Sequence, residues 1–292
     1  MFTKYWELNA KPFEIGCDPR FYYASESYQS VLLKLRYTIE NRHGSALLRG
    51  PVGVGKSMLV EMLKEYQKTS SELGPFVTLV MPQLSADEIL CYLAETLENR
   101  SCPPRRTRTD TFQPRQRTNT ESGRQPILYN ALSTVETFLE RNAQERRHTV
   151  FVVEDAHQIT DPQVYSLFKS LLGFQCGGRP MLSLLLVAAS SSFTEEPKLS
   201  FVDDCIETVA ELTPLSSDDT TAYINYRLEK AGRTKPIFTA DALETIYYLT
   251  SGNPRKINRL CDLALLIGYA ENLTELNSDI LESLNNELIA IN

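Results

Sequence analysis

The eight residues "GPVGVGKS", Gly50 to Ser57, restrict the possible folds of this chain more than any other stretch. They fit G-x-x-x-x-G-K-[ST] at every fixed position. They stand between a short apolar run, "SALLRG" at 45–50, and a helical pattern from Ser57 to Thr69. A strand, a glycine-rich turn and a helix in that order form a phosphate cradle, the Walker A loop. Gly50, Gly53 and Gly55 let backbone N–H groups turn inward around phosphate oxygens without Cβ clashes, and Pro51, Val52 and Val54 complete the ring of backbone. The helix start adds the positive end of its dipole. Lys56 is expected to reach the β and γ phosphates, and Ser57 to offer its hydroxyl to Mg²⁺.

The pattern around this loop predicts an α/β sheet domain. Ser25 to Arg42 has helical period, with Val31, Leu32, Leu35 and Ile39 on one face. "PFVTLVM" at 75–81 reads as a strand, and 85–100 as a helix whose Ser85 and Glu88 make a capping box. A helix at 127–146 leads to a strand at 149–154. Then come a helix at 162–173, a strand in "MLSLLLVAA" at 181–189 and another at 206–212. After Pro214 the pattern is helical throughout, at about 216–231, 239–250, 254–271 and 277–289. The expected division is a nucleotide-binding domain at 1–213 and a helical lid at 214–292. Residues 101–126 interrupt the rhythm with four prolines and six arginines against two acids, and are expected to form a flexible basic insertion.

Bulk properties narrow the function. A net charge of −7 disfavours nucleic acid as the partner of the whole chain. The six cysteines form no C-x-x-C pair and lie far from the three histidines in sequence, which argues against zinc and fits a reducing, cytoplasmic setting. The N-terminus lacks the apolar core of a signal peptide, and the most apolar run is too short to span a bilayer, so no membrane insertion is expected.

"TVFVVEDAHQI", Thr149 to Ile159, places two carboxylates at the end of a buried run. In a phosphate-loop fold, a carboxylate at that strand end holds the Mg²⁺ shell, and a following acid polarises the attacking water.

Together these segments resemble the AAA+ ATPases of the general secretion pathway protein A (ExeA) type. The opening "YWELNAKPFEIGCDPRFYYASESYQSVLLKLRYTIENRHG", the phosphate loop, "EDAHQI", "TPLSSDDTTAYINYRLEKAG" and "SGNPRKINRLCDLALLIGYA" carry the likeness over nearly the whole chain except the basic insertion. The resemblance implies a P-loop NTPase of the AAA+ class, with a five-stranded parallel sheet core, a C-terminal α-helical lid, and ATP and Mg²⁺ as ligands. It implies that Arg255 is a sensor arginine reaching the γ-phosphate from the lid, and that Pro12 and Phe13 line the adenine side. An arginine just after Pro254 also sits where it can act as a charge clamp.

The chain departs from that family in its acids. Glu154 comes first and Asp155 second, the reverse of the usual order. Without a gap, Glu154 takes the metal-shell position and the shorter Asp155 the water-polarising one; with a local bulge, Asp155 takes the metal role and Ala156 the base position. The polar sensor expected after "LVAA" falls on Ser190 or Ser191, and no Arg or Lys occurs between Lys198 and Arg227 to serve a neighbouring subunit. Larger family members continue into a membrane segment and a peptidoglycan-binding region, and the resemblance is expected to carry over neither property. The sequence thus predicts ATP binding with slow hydrolysis, coupled to an unnamed protein partner in secretion or envelope assembly, with homo-oligomerisation open. The alternatives are an ATP-gated binding switch with little hydrolysis and, with least support, a DNA-associated helper ATPase.

Overall fold

The computed structural model describes residues 2–70, 72–101, 121–190, 201 and 204–290. The chain packs as two compact units, one of residues 33–49 and 66–210 and the other of residues 1–32, 50–65 and 211–292.

The first unit is built on a sheet. Its strands are β1 (Ser45–Arg49), β2 (Leu73–Leu79), β3 (His148–Val153), β6 (Leu182–Ala188) and β7 (Thr208–Glu211), in the order β2-β3-β6-β1-β7. β1 pairs in parallel with β6, β3 with β6, and β2 with β3. Every residue of β3 and β6 is buried. Strands covered on both faces read as unbroken apolar runs rather than alternating ones, which is why "TVFVV" and "LSLLLVA" are so apolar. One sheet face (Leu47, Val77, Leu79, Phe151, Val153, Leu184 and Leu186) packs against α4 (Ala86–Ser101), α5 (Glu121–Gln144) and α6 (Pro162–Leu172) through Ile89, Leu93, Val135, Leu139 and Phe168. Phe151 and Phe168 meet edge to face at 6.0 Å.

Three local differences from the sequence reading have physical reasons. β2 lies two residues earlier than its apolar run predicts, because Val80 and Met81 are 67% and 65% exposed beyond the last ladder pair, Leu79 with Val153. Pro75 lies where the register between β2 and β3 shifts, and β2 is an edge strand, the two settings that tolerate a proline. α5 starts at Glu121, inside the span read as insertion, since its first turns carry no apolar residue to signal a helix; the rest of the predicted basic insertion, 102–120, lies outside the described residues. A hairpin that the sequence reading missed, β4 (Gln175–Cys176) with β5 (Arg179–Pro180), turns at Gly177 and Gly178, both at positive φ. The capping box is present: the Ser85 backbone N–H donates to Glu88 Oε2 at 3.0 Å.

The second unit gathers the N-terminal segment, the phosphate loop and the four C-terminal helices. α1 (Phe2–Tyr5) leads to Trp6, which is 2% exposed and donates its indole N–H to the Leu265 carbonyl at 2.8 Å. Gly268 makes room for that ring, since a Cβ there would sit 2.7 Å from Trp6 Cζ2. α7 (Ser217–Lys230) is capped by Ser216, α8 (Ala240–Thr250) by Thr239 and α9 (Pro254–Ala270) by Asn253; α10 (Ser278–Ala290) ends the bundle. Arg227 of α7 is 3% exposed. It donates to the Pro12 carbonyl and the Tyr223 hydroxyl, with its guanidinium 5.0 Å from the Phe21 ring centroid. A buried guanidinium needs such partners, and this one ties the N-terminal segment to α7.

Candidate functional site: the phosphate loop and its support

Gly50 follows the last residue of β1, and α3 (Lys56–Thr69) begins at the lysine. Between them the chain makes the turn the motif predicts. Gly53 and Gly55 lie at φ +83° and +102°, where L side chains are strained. Gly50 is required for another reason: a Cβ there would come 2.5 Å from the Leu212 carbonyl oxygen. Val54 is fully buried and anchors the loop, while Val52 is 64% exposed. The Tyr28 hydroxyl donates to the Val54 carbonyl, and burial pushes the Tyr28 phenol well above the usual range, so it remains a donor. Lys56 Nζ donates to the carbonyls of Gly50 at 2.8 Å and Pro51 at 2.9 Å, which holds the ammonium across the loop. Ser57 sits one residue into α3, with an exposed side chain.

The start of α9 lies on the same loop. Arg255 donates its backbone N–H to the Gly53 carbonyl at 3.2 Å, and Asn253 donates its side-chain amide to the Val52 carbonyl at 2.8 Å. Asn253 Oδ1 accepts from the backbone N–H groups of Arg255 at 3.1 Å and Lys256 at 3.4 Å, which is ordinary N-cap geometry. Pro254 at the first helical position has no N–H to satisfy. Gly252 is fixed at φ +67°, where a Cβ would meet the Leu215 carbonyl oxygen at 1.9 Å. The sequence "GNPR" therefore brings an exposed Arg255 side chain to the phosphate loop.

The sequence reading singled out Arg255 but neither Asn253 nor Tyr28. An asparagine before a proline at a helix start is a legible cap. Nothing in the spacing reveals that its amide reaches the loop. Pro12 and Phe13 are both buried; Phe13 is 1% exposed, with its ring edge-on to Phe238 at 6.3 Å. In this conformation its faces are covered by protein.

The two carboxylates belong to the sheet unit. The Glu154 backbone N–H still donates to the Leu79 carbonyl at 2.9 Å, so Glu154 continues the strand. The β3–β6 pairing runs without a slip from Thr149 to Val153, and the shift against β2 lies at its other end, between Leu73 and Phe76. No bulge displaces the acids: Glu154 is the strand-end carboxylate, half-buried, and Asp155 follows it. Asp155 adopts the left-handed conformation, φ 48° and ψ 38°, and turns the chain into a short 3-10 helix, Ala156–Gln158. Its side chain is 58% exposed, with His157 Nδ1 4.0 Å from Oδ1. Aspartate tolerates this backbone region better than glutamate, a local reason for the shorter acid to stand second. Ser190 is exposed after β6; Ser191 lies outside the described residues.

Known proteins resemble this chain in sequence and in fold. The chain is 28% identical over 272 residues to general secretion pathway protein A of Aeromonas hydrophila, covering 92% of this chain and 45% of that protein. It thus spans less than half the length of that relative. The resemblance read from the motifs is borne out at that level. The fold is similar to Cdc6p from Pyrobaculum aerophilum, with TM-score 0.62, 17% identity, and coverage of 91% of this chain and 67% of that one. It is also similar to the RuvB Holliday junction branch migration motor of Thermotoga maritima, with TM-score 0.56, 18% identity, and coverage of 92% and 70%. These likenesses show the α/β AAA+ fold with its parallel sheet. The AAA ATPase domain matches residues 23–187, more than half the chain, and to that family this chain belongs.

Proposed function

We propose that the chain binds ATP with Mg²⁺ and hydrolyses it slowly, using the nucleotide cycle to act on a protein partner. The observation that carries this reading is the loop itself. Gly53 and Gly55 hold a backbone that only glycine adopts freely, Lys56 is fixed across it, and Arg255 is brought to it by α9. Side chains at Gly50 and Gly53 would collide with Leu212 and with Arg255 and Asn253, so the loop keeps the bare backbone that a phosphate cradle requires. Gly50 to Ser57 bind the phosphates, and Lys56 and Arg255 offset charge at their γ end. Ser57 and Glu154 would hold the metal, which supplies electrostatic neutralisation of the phosphate oxygens. Asp155 takes the water-polarising role. Pro12 and Phe13 support the adenine side from behind, as packed wall rather than as a stacking face. Residues 214–292 act as the lid.

Slow turnover follows from the acids. Asp155 is one methylene shorter than the glutamate usual at that position, and displacements of about 1 Å in a positioned group cost on the order of 10²-fold in rate. The lack of any Arg or Lys between Lys198 and Arg227 removes a charge that elsewhere contributes roughly 10³–10⁵. A second reading, an ATP-gated switch without hydrolysis, rests on the same two features. The likeness to general secretion pathway protein A supports a role in secretion; a cytoplasmic setting is read from the scattered cysteines alone. Among the described residues no helix is long and apolar enough to cross a membrane. The net charge of −7 disfavours nucleic acid.

The test is ATP affinity in the presence of Mg²⁺. Micromolar binding is expected, with a loss of at least about tenfold in Lys56→Ala from removal of one charge-assisted contact. Equal affinity in the two proteins would overturn the reading.

A further inference from the structure

The contact between α9 and the phosphate loop has a directional consequence. A trans peptide points its C=O and N–H in opposite directions. The Val52 carbonyl is held by the Asn253 amide, and the Gly53 carbonyl by the Arg255 N–H. Two successive peptide planes of the loop are thereby oriented by the first turn of α9. The Gly53 N–H, in the same peptide as the Val52 carbonyl, is directed away from the helix. The Val54 N–H is taken up inside the loop by the Pro51 carbonyl at 3.4 Å. The fit is close: a Cβ on Gly53 would stand 2.8 Å from both Arg255 Cβ and Asn253 Oδ1.

Asn253 joins the two elements through opposite ends of one amide. Its oxygen caps α9 and its nitrogen grips the loop. The two backbone N–H groups that Oδ1 accepts fix which end is which, because the nitrogen has no lone pair to offer them. An N-cap needs only the oxygen. Serine or aspartate would serve the helix equally well, but neither carries an amide nitrogen to reach Val52.

We infer that Asn253 is a positioning residue that presets the phosphate loop from the lid, so that the loop meets nucleotide already shaped. This rests on the reading of Gly50 to Ser57 as a nucleotide phosphate loop. Because the latch engages the carbonyl side of the loop, it does not compete with phosphate for the N–H side. It therefore supports ADP and ATP alike, whereas the Arg255 side chain, which reaches for the γ-phosphate, discriminates between them.

The test uses the full chain with Asn253→Ser, which keeps a capping oxygen, alongside Asn253→Ala and Arg255→Ala. In nucleotide-free protein, amide hydrogen exchange over residues 50–56 should speed up in Asn253→Ser, while its melting temperature falls only slightly, as the loss of one hydrogen bond requires. Affinity for fluorescent ADP and ATP analogues should fall by the same factor, about tenfold, as expected for one lost hydrogen bond in a preorganised loop. Arg255→Ala should weaken ATP and spare ADP. Asn253→Ala, which loses cap and latch together, should lower the melting temperature clearly further than Asn253→Ser. Unchanged exchange in Asn253→Ser, or nucleotide binding as tight as or tighter than wild type, overturns the latch. Altered exchange in a protein whose wild type binds neither nucleotide overturns the phosphate-loop reading and, with it, the role in binding.

Discussion

Gly53→Ala is the substitution whose cost is best worked out from the structure. At φ +83° an alanine incurs the left-handed penalty, about 1–2 kcal/mol. Its Cβ would also stand 2.8 Å from Arg255 Cβ, which moves only with the helix backbone, and from Asn253 Oδ1, which is held by the Arg255 and Lys256 N–H groups it accepts from. The crowding is relieved only if α9 moves off the loop. That breaks the Asn253–Val52 and Arg255–Gly53 hydrogen bonds, each contributing about 1 kcal/mol. The total is about 3–4 kcal/mol. Gly177→Ala is the control: its φ is +60° and nothing lies within 4 Å of the added carbon, so only the backbone term of about 1–2 kcal/mol applies. Urea unfolding of the two variants measures the difference, and Gly53→Ala should be less stable by about 2 kcal/mol and weakened in ADP binding. If the two variants unfold within about 0.5 kcal/mol of each other, the contact between α9 and the loop does not bear the weight assigned to it.

Three further outcomes are expected. His148 is 2% exposed, and burial lowers its imidazole from 6.5 to about 4; the Ser183 hydroxyl donates to the His43 carbonyl and so accepts the His148 Nε2 proton at 2.8 Å. Between those two values the unfolded chain holds the extra proton and the folded one does not. Stability is therefore full above about pH 6.5 and falls on acidification by up to about 3 kcal/mol near pH 4; chemical unfolding at stepped pH should show this slope, and His148→Gln should flatten it. Arg227→Met, which keeps volume but abandons the Pro12 carbonyl, should cost about 2–3 kcal/mol in thermal or urea unfolding; a cost below about 0.5 kcal/mol would show that the N-terminal segment is held by packing alone. The paired exchange Glu154→Asp with Asp155→Glu should raise ATP turnover while lowering stability slightly, because glutamate fits φ 48° less well than aspartate; unchanged or lower turnover contradicts the reasoning from side-chain length.

The sheet was legible where physics writes strongly into sequence. Strands buried on both faces leave runs such as "VFVV" and "LSLLLVA", and Ser216 and Thr239 mark their helix starts as caps. The phosphate loop was legible because its glycines have no substitute. What could not be read was long-range. The donor that Asn253 sends to Val52, across 201 positions of sequence, leaves no periodicity. Nor does the complete burial of Phe13 against Phe238. A two-residue strand such as Gln175–Cys176 is too short to show alternation. The absence of a bulge before Glu154 needed the ladder register, since either placement of the two acids suits the same sequence.

The proposed function separates nucleotide binding from turnover at this site, and steady-state ATPase activity at saturating ATP and Mg²⁺, in the absence of any partner, tests that separation most directly. With micromolar nucleotide binding established, the account predicts turnover well below the roughly 10 s⁻¹ ordinary for enzymes. Turnover near that rate would contradict it, and would mean that Glu154 and Asp155 in this order serve the reaction as well as the usual pair.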